Sequence, residues 1–124
     1  MKTFGVLQSL VLMACMVVAT PVLANKSSAK IIAPETVAAG SEVTVTVEVF
    51  HKGNSFFHHT DYLVITVNGE EFKRFEFTAR SRPESENFQR TITLVIDGET
   101  RIEAEAHCNL HGSAGKVSAV IRTE

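Results

Sequence analysis

The chain has 124 residues, 44% of them hydrophobic and 21% charged, with a formal net charge of −2. That length allows one hydrophobic core, and the absence of a basic patch speaks against nucleic acid as a partner. The N-terminus reads as a targeting segment: Lys2, an apolar run from Phe4 to Val18, then Val22-Leu23-Ala24 with small residues placed for a signal peptidase. We expect residues 1–24 to be a signal peptide cleaved after Ala24, giving export to the periplasm. A lipobox around Leu12–Cys15 competes with this reading, but the apolar run continues through Val17 and Val18, where a lipoprotein would already have turned polar. The run is also short for a bilayer span, so no stable membrane anchor is expected. Without Lys2, 11 basic and 14 acidic residues leave residues 25–124 at −3. Cys15 leaves with the signal, so Cys108 has no partner for an internal disulfide.

Residues 25–124 read as one all-β domain. Lys30–Ala33 is a short strand, and Pro34-Glu35 and Ala39-Gly40-Ser41 bracket a turn-rich connection. Glu42–Phe50 alternates strictly, with Val43, Val45, Val47 and Val49 on one face, as a half-buried strand must. Asp61–Val67 is the next strand, and Asn68-Gly69 is a strong hairpin signal leading into Glu71–Thr78. After the polar loop Arg80–Asn87, Phe88–Ile96 places Phe88, Arg90, Ile92 and Leu94 on one side. Asp97-Gly98 predicts a second hairpin into Thr100–His107, where Ile102, Ala104 and Ala106 face inward. Lys116–Arg122 closes the fold. About seven short strands separated by turns predict an immunoglobulin-like β-sandwich. The two long loops are His51–His59 and Cys108–Gly115, and function on a sandwich usually lives in such loops.

All five histidines lie in or beside those loops: His51, His58, His59, His107 and His111. Imidazole and thiolate are good donors for iron, copper and zinc. Cys108-x-x-His111 puts two donors on one tight loop, and Gly112 lets the backbone turn sharply behind them. Metal ligation would also protect a lone thiolate from oxidation. The bland alternatives are a buried apolar cysteine for Cys108 and solvated side chains for His59 and His107. His51, His58, Cys108 and His111 are the candidate ligands.

Cys108-Asn109-Leu110-His111-Gly112 resembles the C-terminal iron-ligand motif of superoxide reductases, the desulfoferrodoxin and neelaredoxin family. Ile32–Val37 through Gly40 is similar to the family's first strand and acidic-proline turn. His51, a short loop and a His-His pair leading into a strand are similar to its central motif. The resemblance covers nearly all of residues 25–124, and the CNLHG segment is its specific part. It implies mononuclear iron with four equatorial histidines, one axial cysteine thiolate and an open sixth position for superoxide. Carried over, His51, His58 and His111 are equatorial and Cys108 is axial. His58 is preferred to His59 because that register places Tyr62, Leu63 and Ile65 where the family has an aromatic and two aliphatics. The loop between the first two histidines is one residue longer than usual. Lys52 stands where the family offers a lysine to the incoming anion. Ser27, after Lys26, stands where the resemblance expects the first histidine, which leaves His59, His107 or water for that position. The implied activity is reduction of superoxide to hydrogen peroxide, with an unidentified electron-donor protein as partner and a homo-oligomer left open. Two rivals remain from the residues alone. One is a non-catalytic metal or electron-transfer module such as a copper site, which would lack its usual methionine because Met1, Met13 and Met16 all precede Ala24. The other is a metal-free module similar to sulfur-carrier subunits, which share a sandwich and an Asn-Gly-Glu-Glu hairpin like Asn68–Glu71.

Overall fold

The computed structural model describes residues 25–124; the expected signal peptide and Cys15 lie outside the described residues. Eight strands form: β1 Ser28–Ile32, β2 Thr36–Val37, β3 Ser41–Phe50, β4 Thr60–Val67, β5 Glu70–Glu76, β6 Phe88–Ile96, β7 Thr100–Cys108 and β8 Val117–Thr123. They make a three-stranded sheet in the order β1-β3-β6 and a five-stranded sheet in the order β2-β8-β7-β4-β5. This is the expected all-β sandwich, with one strand more than the sequence suggested. The extra strand is β2, two residues paired in parallel with Arg122 and Thr123, too short to show any alternation.

Period-two patterning builds the core. Val45, Val47 and Val49 of β3 are fully buried, as are Leu63 and Ile65 of β4 and Ile102 and Ala106 of β7. The registers Val45↔Ile92 and Val49↔Phe88 in one sheet, and Leu63↔Ala106 and Ile65↔Ala104 in the other, align these rows so that the two inner faces meet. Arg90 shares the inward parity of β6. Its guanidinium lies over the rings of Phe88, Phe77 and Phe75 at 5.0–5.8 Å and pairs with Glu84 at 2.9 Å, capping the sandwich where the core opens.

The two turn signals fared differently. Asn68 and Gly69 both have positive φ, 51° and 85°, and join β4 to β5 as a hairpin. Asp97-Gly98 does not make a hairpin: β6 and β7 belong to different sheets, and the chain arches from one layer to the other. Gly98 is absent from the positive-φ residues. An inward-alternating pair of strands looks the same in sequence whether it pairs edge to edge or face to face, so the pattern could not separate hairpin from arch.

Topology gathers one end of the sandwich into a single place. Ser28 pairs with Phe50, Val49 with Phe88, and Thr60 with Cys108. The start of β1, the end of β3, the start of β4 and the end of β7 therefore share that end.

Candidate metal centre

Each donor is placed by the element it leaves. His51 is the first residue beyond β3; its N–H donates to Asn87 Oδ1 (3.1 Å), and the residue is 4% exposed. Cys108 is the last residue of β7 and is fully buried, so the cysteine expected in a loop sits at the end of a strand. Immediately after it the chain folds back. Cys108 and Gly112 exchange two main-chain hydrogen bonds of 2.9 Å each, and Gly112 has φ +79°. This tight return puts His111 Nδ1 3.8 Å from Cys108 Sγ. His58 is set by the first loop, where Ser55 and His58 bond to each other through their main chains. Gly53 passes so close to the His58 ring that a Cβ there would lie 2.7 Å from Nδ1.

The donors converge. Ligand atoms of His51, His58 and Cys108 lie within 4.8 Å of one another. His58 Nε2 is 3.3 Å from His111 Nδ1. For donors about 2.1 Å (nitrogen) and 2.3 Å (sulfur) from a shared ion, neighbouring donors are roughly 3.0 Å apart and opposite ones roughly 4.4 Å. His58 Nε2 and His111 Nδ1 stand near the neighbouring spacing, and Cys108 Sγ at 3.8 Å from His111 Nδ1 falls between the two, so the donors are on the scale of one ion's coordination shell.

His51 tests the fit. Its Nδ1 lies 2.8 Å from the Gly53 carbonyl, which can only accept, so the proton is on Nδ1 and the lone pair is on Nε2. That Nε2 is buried with no hydrogen-bond partner. An unmet buried acceptor is costly, and beside a thiol and two imidazoles a cation is the partner that satisfies it. The pKa of His58 is lowered by burial first and then by His51 and His111, which keeps its ring in the neutral form that ligates. The donor set of three imidazoles and one thiol fits iron.

The model of one family, Desulfoferrodoxin, matches residues 22–114. The chain belongs to the desulfoferrodoxin family. Among solved structures, a superoxide reductase (neelaredoxin) from Ignicoccus hospitalis is 25% identical, covering 80% of this chain and 82% of its own, with a TM-score of 0.66. A putative superoxide reductase from Thermotoga maritima shares the fold at 23% identity, 85% and 92% coverage and TM-score 0.63. So does the sulfur carrier protein SoxY from Chlorobium limicola f thiosulfatophilum, at 15% identity, 77% and 78% coverage and TM-score 0.54. No curated protein sequence matches significantly.

The desulfoferrodoxin fold brings His51, His58, His111 and Cys108 together and sends the other two histidines elsewhere. His59 Nδ1 lies 3.2 Å from the Ser55 carbonyl. His107 Nδ1 lies 2.7 Å from Asp61 Oδ1, with its ring stacked on Tyr62. Ser27 is fully buried and its hydroxyl shares a 2.7 Å hydrogen bond with Thr60. The segment around it is pinned: Ser27 N–H donates to the Gly112 carbonyl, and Ala114 N–H to the Ser27 carbonyl. Lys52 is exposed and lines, with Lys26, His51 and Glu86, a surface depression of about 390 Å³.

Sequence reasoning missed the residues that hold the loops. Asn109 is the chief one. Its Oδ1 accepts from His59 N–H (3.0 Å), its Nδ2 donates to the Phe57 carbonyl (3.1 Å), and its own N–H donates to the His59 carbonyl (3.1 Å). Asn109 thus clamps the His58 loop to the Cys108 loop. The only available signal was its place between two candidate ligands.

Proposed function

We propose that this chain is an exported superoxide reductase in which His51, His58, His111 and Cys108 hold one iron ion. The observation that carries the reading is the bare, buried Nε2 of His51 facing a cluster that contains a thiol. Ferrous iron would supply the single electron that superoxide takes up, together with two protons from water, on its way to hydrogen peroxide. The residues do the rest. His51 is fixed in one tautomer by Gly53, so no proton has to leave before its lone pair is usable. Cys108, enclosed by the return loop to Gly112, would serve as a thiolate shielded from water and oxidants. Lys52 and Lys26 outnumber Glu86 around the depression beside His51, and this local positive charge would draw in a small anion. Lys52 is the residue we assign to meeting superoxide. An electron-donor protein must restore the ferrous state.

The experiment is metal analysis with visible spectroscopy on the protein recovered from the periplasm, followed by superoxide consumption after pulse radiolysis of the ferrous form. We expect iron, a thiolate-to-iron absorption band in the oxidised form, and rapid loss of superoxide. A copper charge-transfer band would favour the electron-transfer reading. A protein that takes up no metal would favour the carrier-like reading.

A further inference from the structure

The four clustered donors differ in how they meet solvent. His51 and Cys108 are buried, His58 is half-buried and His111 is exposed. Each histidine of the cluster directly follows a large apolar residue that faces water: Phe50 before His51 (41% exposed), Phe57 before His58 (76%) and Leu110 before His111 (61%). Phe57 also carries Phe56 edge-on, with ring centroids 5.0 Å apart. Phe57 and Leu110 are held in one neighbourhood. Asn109, the residue before Leu110, donates its Nδ2 to the Phe57 carbonyl at 3.1 Å, and the rings of His58 and His111 lie 5.0 Å apart. A single exposed apolar side chain needs no explanation, but a group of them around one cluster marks a contact surface. Charge here is one-sided. Segments 25–28, 50–59 and 108–116 contain Lys26, Lys52 and Lys116 and no Asp or Glu, although residues 25–124 carry −3 overall. The neighbouring connection 77–87 holds two arginines and two glutamates, which cancel.

We propose that the face formed by Phe57, Leu110 and the exposed ring of His111 is the dock of the electron-donor protein, and that this donor is a small acidic one-electron carrier with its redox group under an apolar patch. The proposal rests on the superoxide reductase reading above, which consumes one electron per turnover. The donor loses one electron and the ferric centre becomes ferrous; no atom and no proton is exchanged. A protein carrier cannot enter the sandwich, and His111 is the exposed ring of the donor set, so a carrier seated over it has the shortest route to the ion. Superoxide then enters elsewhere, beside His51 and Lys52. Phe57 and Leu110 exclude water from the contact without locking it, which suits a partner that must leave after each electron. Transient redox encounters of this kind bury less than about 1,200 Å². Three lysines with no carboxylate among them draw in a negative partner and turn away a positive one. A second copy of this chain would bring the same lysines face to face, so like charge opposes self-pairing here.

The test reduces the ferric protein in a stopped-flow mixer with two reductants. One is a reduced plant-type ferredoxin, an acidic [2Fe–2S] carrier of low potential. The other is dithionite, which needs no dock. Phe57→Gln and Leu110→Gln should each slow reduction by ferredoxin about fivefold or more. Phe72→Gln, an exposed phenylalanine on β5 away from the cluster, should not. Reduction by dithionite and superoxide loss from the ferrous form should be unchanged in these three variants. Lys116→Glu should slow ferredoxin at low salt and flatten the fall of its rate with rising salt. A second readout needs no iron. In ¹⁵N-labelled metal-free protein titrated with oxidised ferredoxin, the amide signals of Phe57, Leu110 and Gly112 should change and those of Gly40 and Asn68 should not. Changes centred elsewhere, or ferredoxin rates that Phe57→Gln and Leu110→Gln leave untouched while dithionite reduces every form, would overturn the dock alone. The same signals changing when the protein is concentrated by itself would make the occupant a second copy. Their changing with phosphatidylglycerol vesicles at about 0.15 M salt, and not with ferredoxin, would make it an anionic membrane; either result overturns the donor assignment. A protein with no ferric band for either reductant to bleach would overturn the metal centre and this role with it.

Discussion

At the end of the sandwich far from Cys108, β4 and β5 are joined by two residues, Asn68 and Gly69, and main-chain bonds are supplemented by one asparagine side chain, Asn68 Oδ1 accepting from Arg101 N–H. Asn68 N–H donates to the Arg101 carbonyl, and Gly40 N–H to the Ile96 carbonyl at 2.7 Å. At the Cys108 end the connections are long and lean on asparagine side chains. Asn87 holds His51, Asn54 Nδ2 donates to the Pro83 carbonyl, and Asn109 clamps two loops at once. A two-residue turn closes its own ladder. A loop long enough to carry histidines across the mouth of the sandwich leaves main-chain groups that need outside partners. The difference teaches that the cluster is positioned by amide side chains more than by the strands beneath it.

The sharpest break in the comparison is Cys108→Ser. It should abolish the visible band and most of the iron affinity while the sandwich still folds. The fully buried site would then hold a hydroxyl in place of a thiol, costing about 1–3 kcal/mol of stability. Spectra and thermal unfolding on the same sample check both halves. A native spectrum in the variant would remove Cys108 from the centre.

Asparagine removal comes next. Asn109→Ala breaks both side-chain bonds between the loops and should cost about 1–3 kcal/mol, with iron affinity falling roughly 10–100-fold as the His58 loop drifts from Cys108. Asn68→Ala, at the other end, loses the bond its Oδ1 accepts from Arg101 N–H (2.9 Å) and places alanine at φ 51°. It should cost a similar stability with no change in iron affinity. Denaturant unfolding paired with chelator competition separates the two. Equal affinity losses would mean that the strands, not the clamp, set the site.

The same contrast explains how much could be read from the sequence. Strand positions follow from side-chain period, so Val43–Val49 and Ile102–Ala106 declared which faces are inner. Asn68-Gly69 declared its turn because positive φ restricts residue choice. The convergence of His51, His58, His111 and Cys108 was legible from residue chemistry and from the CNLHG segment. The arch at Asp97-Gly98 was not, since sheet membership is decided by long-range pairing that leaves no local mark. Nor was the anchoring of Ser27. A small polar residue before a strand gives no sign that it will pair with Ser113 and bury its hydroxyl against Thr60.

Glycines sharpen the comparison further. Gly53 has φ +135°, and a Cβ would meet the His58 ring at 2.7–3.3 Å. Gly69 has φ +85° and nothing within 4 Å of its would-be Cβ. Both alanine variants should lose about 1–2 kcal/mol from the left-handed backbone. Only Gly53→Ala should also weaken iron binding, because the His58 ring must move. Iron content after dialysis distinguishes them.

The smallest effect is on pH dependence. The His58 pKa lies below its ordinary 6.5, chiefly through burial, with His51 and His111 adding repulsion. The unfolded chain therefore takes up a proton that the folded metal-free protein resists. Stability from this group is full above about pH 6.5 and declines as pH falls through that value toward the lower folded pKa. Glu84 behaves as the ordinary paired carboxylate. Its pKa is lowered from 4.5, first by the hydrogen bond from Arg90, so its contribution persists to lower pH and is lost only beneath 4.5. Metal-free protein should thus weaken in two separate windows, the upper one belonging to the ligand cluster. Urea unfolding of wild type and His58→Gln, stepped between about pH 5 and pH 7, isolates it. The variant should show a flatter upper window and an unchanged lower one. An identical upper window in both proteins would show that His58 titrates as an ordinary exposed histidine and that the three rings are not crowded around one point.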